Sequence, residues 1–174
     1  MNSLLGVSGR PLDPERLGDH VDRLFRAAWA LTGDRHQAED LVQDTYARVL
    51  SRRRFLRAGD DLGYLLRALT NQHTSRFRRS LRRPAEVPLE AAAAHAAPAA
   101  GSPDAAFEVT ELFATIAALP ADSRDAIVAV DVVGLSYGEA AGVLGVKEAT
   151  LTTRLHRARR KVAALLGAEQ EARL

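Results

Sequence analysis

From Ser136 to Lys161 the chain reads SYGEAAGVLGVKEATLTTRLHRARRK, and its second half sets Lys147, Arg154, Arg157, Arg159, Arg160 and Lys161 against one acid, Glu148. Cations gathered at this density do one piece of chemistry well. They pair with phosphate oxygens, arginine through a planar two-pronged fork. The interleaved hydroxyls of Thr150, Thr152 and Thr153, with those of Ser136 and Tyr137, have no evident base or oxyanion site beside them and so suggest binding. No Gly-rich phosphate loop, nucleophile elbow or carboxylate pair suited to hydrolysis occurs elsewhere. His20, His36, His73, His95 and His156 lie in separate segments without metal-ligand spacing, and there is no cysteine for thiolate sites or disulfides. The pattern describes a non-enzymatic binder of a polymeric polyanion, with no metal and no cofactor.

A cationic face of this kind needs a helix to carry it and a second helix to seat that one. Leu151, Leu155, Ala158, Val162 and Leu165 recur with a 3.6-residue period and leave the basic residues on the other faces. Upstream, Ser136 and Glu139 have the capping-box spacing. Ala140, Ala141, Val143 and Leu144 supply one apolar face, and Gly145 permits a sharp turn. Helix, Gly turn and basic helix in that order predict a helix-turn-helix, whose second helix enters a phosphate-lined groove.

The chain has 174 residues and a net charge of +2, enough for one ordinary or two small domains. No run of eighteen apolar residues is present, so a membrane span is not expected, and MNSLLGVSGRPLDPE does not read as an export signal. A reducing cytoplasm fits the lack of cysteine. The small total hides a strong local bias. Ten arginines and only Asp60 and Asp61 as acids lie between Arg52 and Arg83, whereas Asp34, Glu39, Asp40 and Asp44 face only Arg35 between 34 and 44.

The apolar spacing predicts a helix over 16–31, with Leu17, Val21, Leu24, Phe25, Ala28 and Leu31 on one side, then a break at Thr32-Gly33-Asp34. Ala38, Leu41, Val42, Thr45, Tyr46, Val49 and Leu50 mark a second helix. A third starts near Asp61 with Leu62, Leu65, Leu66 and Leu69 inward and ends in a basic tract from Arg76 to Arg83. Ten of the sixteen residues from Ala91 to Ala106 are alanine, broken by Pro98, Gly101 and Pro103, which reads as a flexible linker. Val109, Leu112, Phe113 and Ile116, then Pro120 with Ala126, Ile127, Val130 and Val133, predict further helices before the helix-turn-helix. Period-two alternation is absent over any useful length. The expected fold is all-α: a tail (1–14), a helical bundle (15–84), a linker (85–106), a helix-turn-helix domain (107–168) and a short tail (169–174).

Two blocks, LTGDRHQAEDLVQDTYARVL and LPADSRDAIVAVDVVGLSYGEAAGVLGVKEATLTTRLHRARRKV, together resemble the extracytoplasmic-function sigma factors, the small two-domain members of the sigma-70 family, in order and in spacing. The resemblance covers about 16–166. It implies a protein without catalysis that joins core RNA polymerase through the β′ clamp helices and β flap, directs it to promoter DNA and helps open the duplex. It is commonly held in check by an anti-sigma factor. By the family pattern Asp40, Leu41, Gln43 and Asp44 dock on the β′ clamp helices. Asn71 lies near the −10 bases, with Tyr64 and Ser75 in the same element and Arg67, Arg76, Arg78 and Arg79 on the backbone. Thr152, Thr153, His156 and Arg157 face the −35 major groove, Lys147 and Thr150 sit near its mouth, and Arg154, Arg159 and Arg160 touch phosphate or an acidic partner. The chain departs from the family at Tyr64, usually Trp, at Ser75, commonly Asp, at Ala149, often Gly, and at Thr152, often Lys or Arg. A base preference therefore does not carry over. A stand-alone helix-turn-helix repressor or activator is the alternative that residue types alone leave open, and a purely protein-binding regulator a third.

Overall fold

A computed structural model of the chain describes residues 10–11, 17–51, 55–56, 61–82 and 103–171. Apart from residues 10–11 and 169–171 the predicted tails lie outside the described residues, as do the Arg52–Arg54 run and the linker as far as residue 102. After a single 3-10 turn at Gly18–His20, helix α1 spans Val21–Thr32 and α2 spans Arg35–Leu50. Helix α3 is Asp61–Arg82 and α4 is Pro103–Ala117. Helix α5, Ala121–Ile127, runs on as a π-helical stretch at Val128–Val132, followed by α6 at Tyr137–Leu144 and α7 at Glu148–Glu171. One antiparallel pair of two-residue strands, β1 (Arg10–Pro11) with β2 (Phe55–Leu56), is the only sheet among the described residues.

Local chemistry accounts for the boundaries. Gly33 ends α1 in the left-handed conformation, φ 72°, and its N–H closes on the Trp29 carbonyl. Asp34 then caps α2, its Oδ1 accepting from the Gln37 N–H at 2.8 Å. Helix α2 thus begins at Arg35, so Glu39 and Asp40 stand in its second turn, beyond the reach of the helix dipole's strongest region. Helix α4 starts four residues inside the segment read as linker, with Pro103 in its first turn, where a missing N–H costs nothing.

Helices α1, α2 and α3 form a bundle around Leu24, Leu31, Leu41, Leu65, Leu66 and Leu69, all at 2% exposure or less. Leu17, from the turn before α1, joins this core, and its carbonyl accepts a hydrogen bond from the Tyr46 hydroxyl at 2.8 Å. Helices α4, α5 and α6 pack round α7 through Phe113, Ile116, Ile127, Val128, Leu151 and Leu155. Burying one such leucine contributes about 1.5–3 kcal/mol.

The two units are not held apart. Helix α1 packs on α4 and on the π-helical stretch, and α3 packs on α6, so that one apolar core runs through both. The Trp29 ring meets Phe113 edge-on, centroids 4.9 Å apart, and Arg35 lies over the Phe25 and Trp29 rings at 5.2 and 5.6 Å. A Cβ built on Gly33 would come within 3.0 Å of the Ala117 Cβ. At φ 72° and with this neighbour so close, any larger residue would be strained. The sequence pattern predicted two modules on a tether; closure follows from residues of separate helices that periodicity cannot pair.

Candidate nucleic-acid and partner surfaces

The helix-turn-helix is built from the cap outward. Ser136 Oγ accepts from the Glu139 N–H at 3.3 Å, while a Glu139 carboxylate oxygen accepts from the Ser136 N–H at 2.8 Å and from its hydroxyl at 2.6 Å. These bonds satisfy two of the free backbone donors at the start of α6 and hold the Glu139 carboxyl below its ordinary range. Gly145 makes the turn at φ 67°, where any side chain is strained. Leu151, Leu155, Ala158 and Val162 then press α7 inward.

That seating leaves Lys147, Thr150, Thr152, Thr153, His156, Arg157 and Arg160 exposed. Two of the hydroxyls are already engaged. Thr152 Oγ1 donates to the Glu148 carbonyl at 2.9 Å and Thr153 Oγ1 to the Ala149 carbonyl at 3.0 Å, so each presents a methyl group and an acceptor oxygen. Arg154 pairs with Asp122 at 2.8 Å, and Arg159 makes a two-pronged contact with Asp131 at 2.9 and 2.6 Å. Asp131 belongs to the π-helical stretch, which closes with Val133 N–H on the Val128 carbonyl at 2.9 Å. These two arginines, expected to meet phosphate or an acidic partner, tie α7 to the helix that supports it in the free chain.

In the N-terminal unit, α2 and α3 enclose a groove of about 240 Å³ lined by Thr45, Arg48, Tyr64, Arg67, Asn71 and Ser75 among others. The predicted −10 residues Tyr64, Arg67, Asn71 and Ser75 therefore come together. Arg78 and Arg79 lie further along α3, exposed. Arg48, whose guanidinium donates to Gln72 at 3.0 Å, adds a cation that sequence reasoning missed. Its signal was present one turn after Asp44 on the same helix.

Two of the α3 arginines have partners within the chain. Arg67 donates to the Val143 carbonyl at 3.1 Å and also to that of Gly142, both in the last turn of α6, where helix carbonyls lack internal partners. Arg76 donates to the Asp40 carbonyl at 3.1 Å and to the Asp44 carboxylate. His73 sits at the same junction, and burial, with Arg124 and Arg76 nearby, pushes its pKa down to about 4.

The α2 edge presents Asp40, Gln43 and Asp44 to solvent. Leu41 departs from the expectation. It is wholly buried, because one residue along a helix turns the side chain about 100° from Asp40, and it supports the edge from beneath.

A helical bundle with a basic groove, fused to a capped helix-turn-helix whose second helix exposes cations, defines a DNA-binding protein of the helix-turn-helix class. The sequence model for Sigma-70 region 2 matches residues 17–83, and that for Sigma-70, region 4 matches residues 110–162. The ECF RNA polymerase sigma factor EcfG of Rhodopseudomonas palustris is 35% identical over 149 residues, covering 84% of this chain and 80% of that protein. The ECF RNA polymerase sigma factor SigE of Mycolicibacterium smegmatis is 35% identical over 155 residues, 85% of this chain; the chain spans 59% of that relative's length. The sigma factor RpoE from Bartonella quintana, solved with the anti-sigma factor NepR, superposes with a TM-score of 0.69 at 30% identity, over 88% of this chain and 95% of that one. The chain belongs to the ECF RNA polymerase sigma factors of the sigma-70 family.

Proposed function

We propose that this chain is the promoter-specificity subunit of RNA polymerase, binding core enzyme along the α2 edge and reading promoter DNA with α3 and α7. The observation that carries the reading is the presence, in one chain and in family order, of a basic groove with an aromatic rim and a seated helix-turn-helix with an open basic face. Strand opening needs a cationic track for the backbone and an aromatic surface for unstacked bases, and Arg48, Arg67, Tyr64 and Asn71 offer these around one groove. The α7 residues Lys147, Thr150, Thr152, Thr153, His156, Arg157 and Arg160 take the −35 element, with the threonine methyls suited to thymine. Asp40, Gln43 and Asp44 meet the β′ clamp helices, where exposed carboxylates set register and on-rate. The β flap is the contact for the C-terminal unit. Among the described residues no helix is long and apolar enough to cross a membrane. A cytoplasmic place follows from the proposed role, and an anti-sigma factor is the proposed regulator by likeness to the Bartonella complex.

Purified core polymerase with this chain should give run-off transcripts on genomic fragments that neither component gives alone. A mobility-shift assay separates the alternative. Tight, polymerase-independent binding of a palindrome by the chain would identify a repressor or activator and overturn the reading.

A further inference from the structure

The two surfaces just assigned share an ion pair. Arg76, proposed for the promoter backbone, donates through one nitrogen to the Asp40 carbonyl and to the Asp44 carboxylate, and Asp44 is proposed for polymerase. The side chains are 33% and 54% exposed, so both are reachable from outside. Gln72, on the same face of α3, lies close enough to help lower the pKa of the Asp44 carboxyl, and it accepts from Arg48 on the groove rim at 3.0 Å. The acid edge of α2 and the basic groove therefore meet along one line of side chains.

We infer that Asp44 holds Arg76 out of use in the free chain, and that capture of Asp44 by a basic surface of polymerase releases the guanidinium for a DNA phosphate. This rests on the proposed reading of the α2 edge as the polymerase contact. One carboxylate cannot serve two guanidinium groups as well as one, and a guanidinium bound to a carboxylate is a poor phosphate ligand. Occupation of the edge thus raises DNA affinity, and by linkage DNA raises affinity for the edge's partner. Exposed pairs of this kind are worth little, so the coupling is about 1.5- to 5-fold. Its sign is what matters.

A double-mutant cycle on the full chain tests this, using fluorescence anisotropy with a random-sequence single-stranded oligodeoxynucleotide at fixed salt, since a backbone contact needs no particular sequence. Asp44→Asn should tighten binding about 1.5- to 5-fold, and Arg76→Gln should weaken it. In the Arg76→Gln background Asp44→Asn should do nothing further. Equal tightening by Asp44→Asn in both backgrounds would reduce the effect to a change in overall charge and overturn the inference, as would no tightening in either. Arg76→Lys, which keeps the charge, should restore part of the affinity, and far-UV circular dichroism establishes that each variant is folded. Co-elution of Asp44→Asn with core polymerase is read separately. Unchanged co-elution, with the cycle coupled, would remove the α2 edge as the docking site and polymerase as the releasing agent.

Discussion

Phe113→Ala tests the closure of the two units most directly. Phe113 is 7% exposed and gives its ring to Trp29 of α1 at 4.9 Å, while its backbone belongs to α4 of the C-terminal unit. Truncating a buried phenylalanine costs about 3–5 kcal/mol in all. Part of that is lost inside the C-terminal unit. The part felt across the junction is the edge-on aromatic contact plus a share of the ring's buried area, roughly 1–2 kcal/mol. That lowers the ratio of closed to open chains by a factor of roughly 5–30. The chain has one tryptophan, and it stands at this contact, so its emission reports the junction without a label. The variant should emit further to the red and show a larger hydrodynamic radius at unchanged helical circular dichroism. It should also bind single-stranded DNA more tightly, because Arg67 leaves the α6 carbonyls. Unchanged emission and radius in a variant that has nonetheless lost stability would show that Phe113 serves only its own unit, and the reasoning would fail.

Three further outcomes are expected. Ser136→Ala removes the hydroxyl half of the capping box and should cost about 1 kcal/mol in a thermal or denaturant melt, with a matching loss of binding to −35 duplex; a change within error would mean that Glu139 alone holds the helix start. Leu155→Ala, at a position 1% exposed beneath the recognition face, should cost about 2–5 kcal/mol and abolish duplex binding at temperatures where the wild type is folded; a loss under about 1 kcal/mol would refute the assigned seating. His73 is neutral in the folded chain down to about pH 4, against 6.5 in the unfolded chain, so unfolding takes up a proton between these values. Stability is therefore full above about pH 6.5 and falls as pH drops toward 4, and His73→Gln should flatten that part of a melting-temperature profile; an identical profile in the variant would show that other groups govern the window.

Much of this fold was legible because helices write their buried faces as a period. Leu24, Leu31, Leu65, Leu69, Leu151 and Leu155 were all placed inward from spacing alone, and Ser136, Glu139 and Gly145 marked the helix-turn-helix by their types. Contacts between groups far apart along the chain were not legible. Arg67 and Gly142 are 75 residues apart, Arg76 and Asp44 are 32, and Arg159 and Asp131 are 28. No periodicity encodes such pairs, and a basic residue reads the same whether it faces solvent or a carboxylate. Leu41 shows the converse limit: a stretch matched to a partner surface includes residues on the far side of the helix, and only their burial separates supporters from contacts. The π-helical stretch was likewise invisible, since the apolar spacing of Ala126, Ile127, Val130 and Val133 fits an ordinary helix.

At the turn between the first two long helices, one hydrogen atom stands where every other amino acid has carbon, and a methyl group from the opposite half rests against it at Gly33 and Ala117. Were polymerase to engage the chain with its halves parted, the apparent affinity for the enzyme would be the intrinsic one scaled by the population already open. A substitution that knits the halves more firmly would raise the melting temperature and at the same time make the factor slower to enlist. Thermal robustness and transcriptional responsiveness are then opposite readings of a single seam, adjustable one methyl at a time.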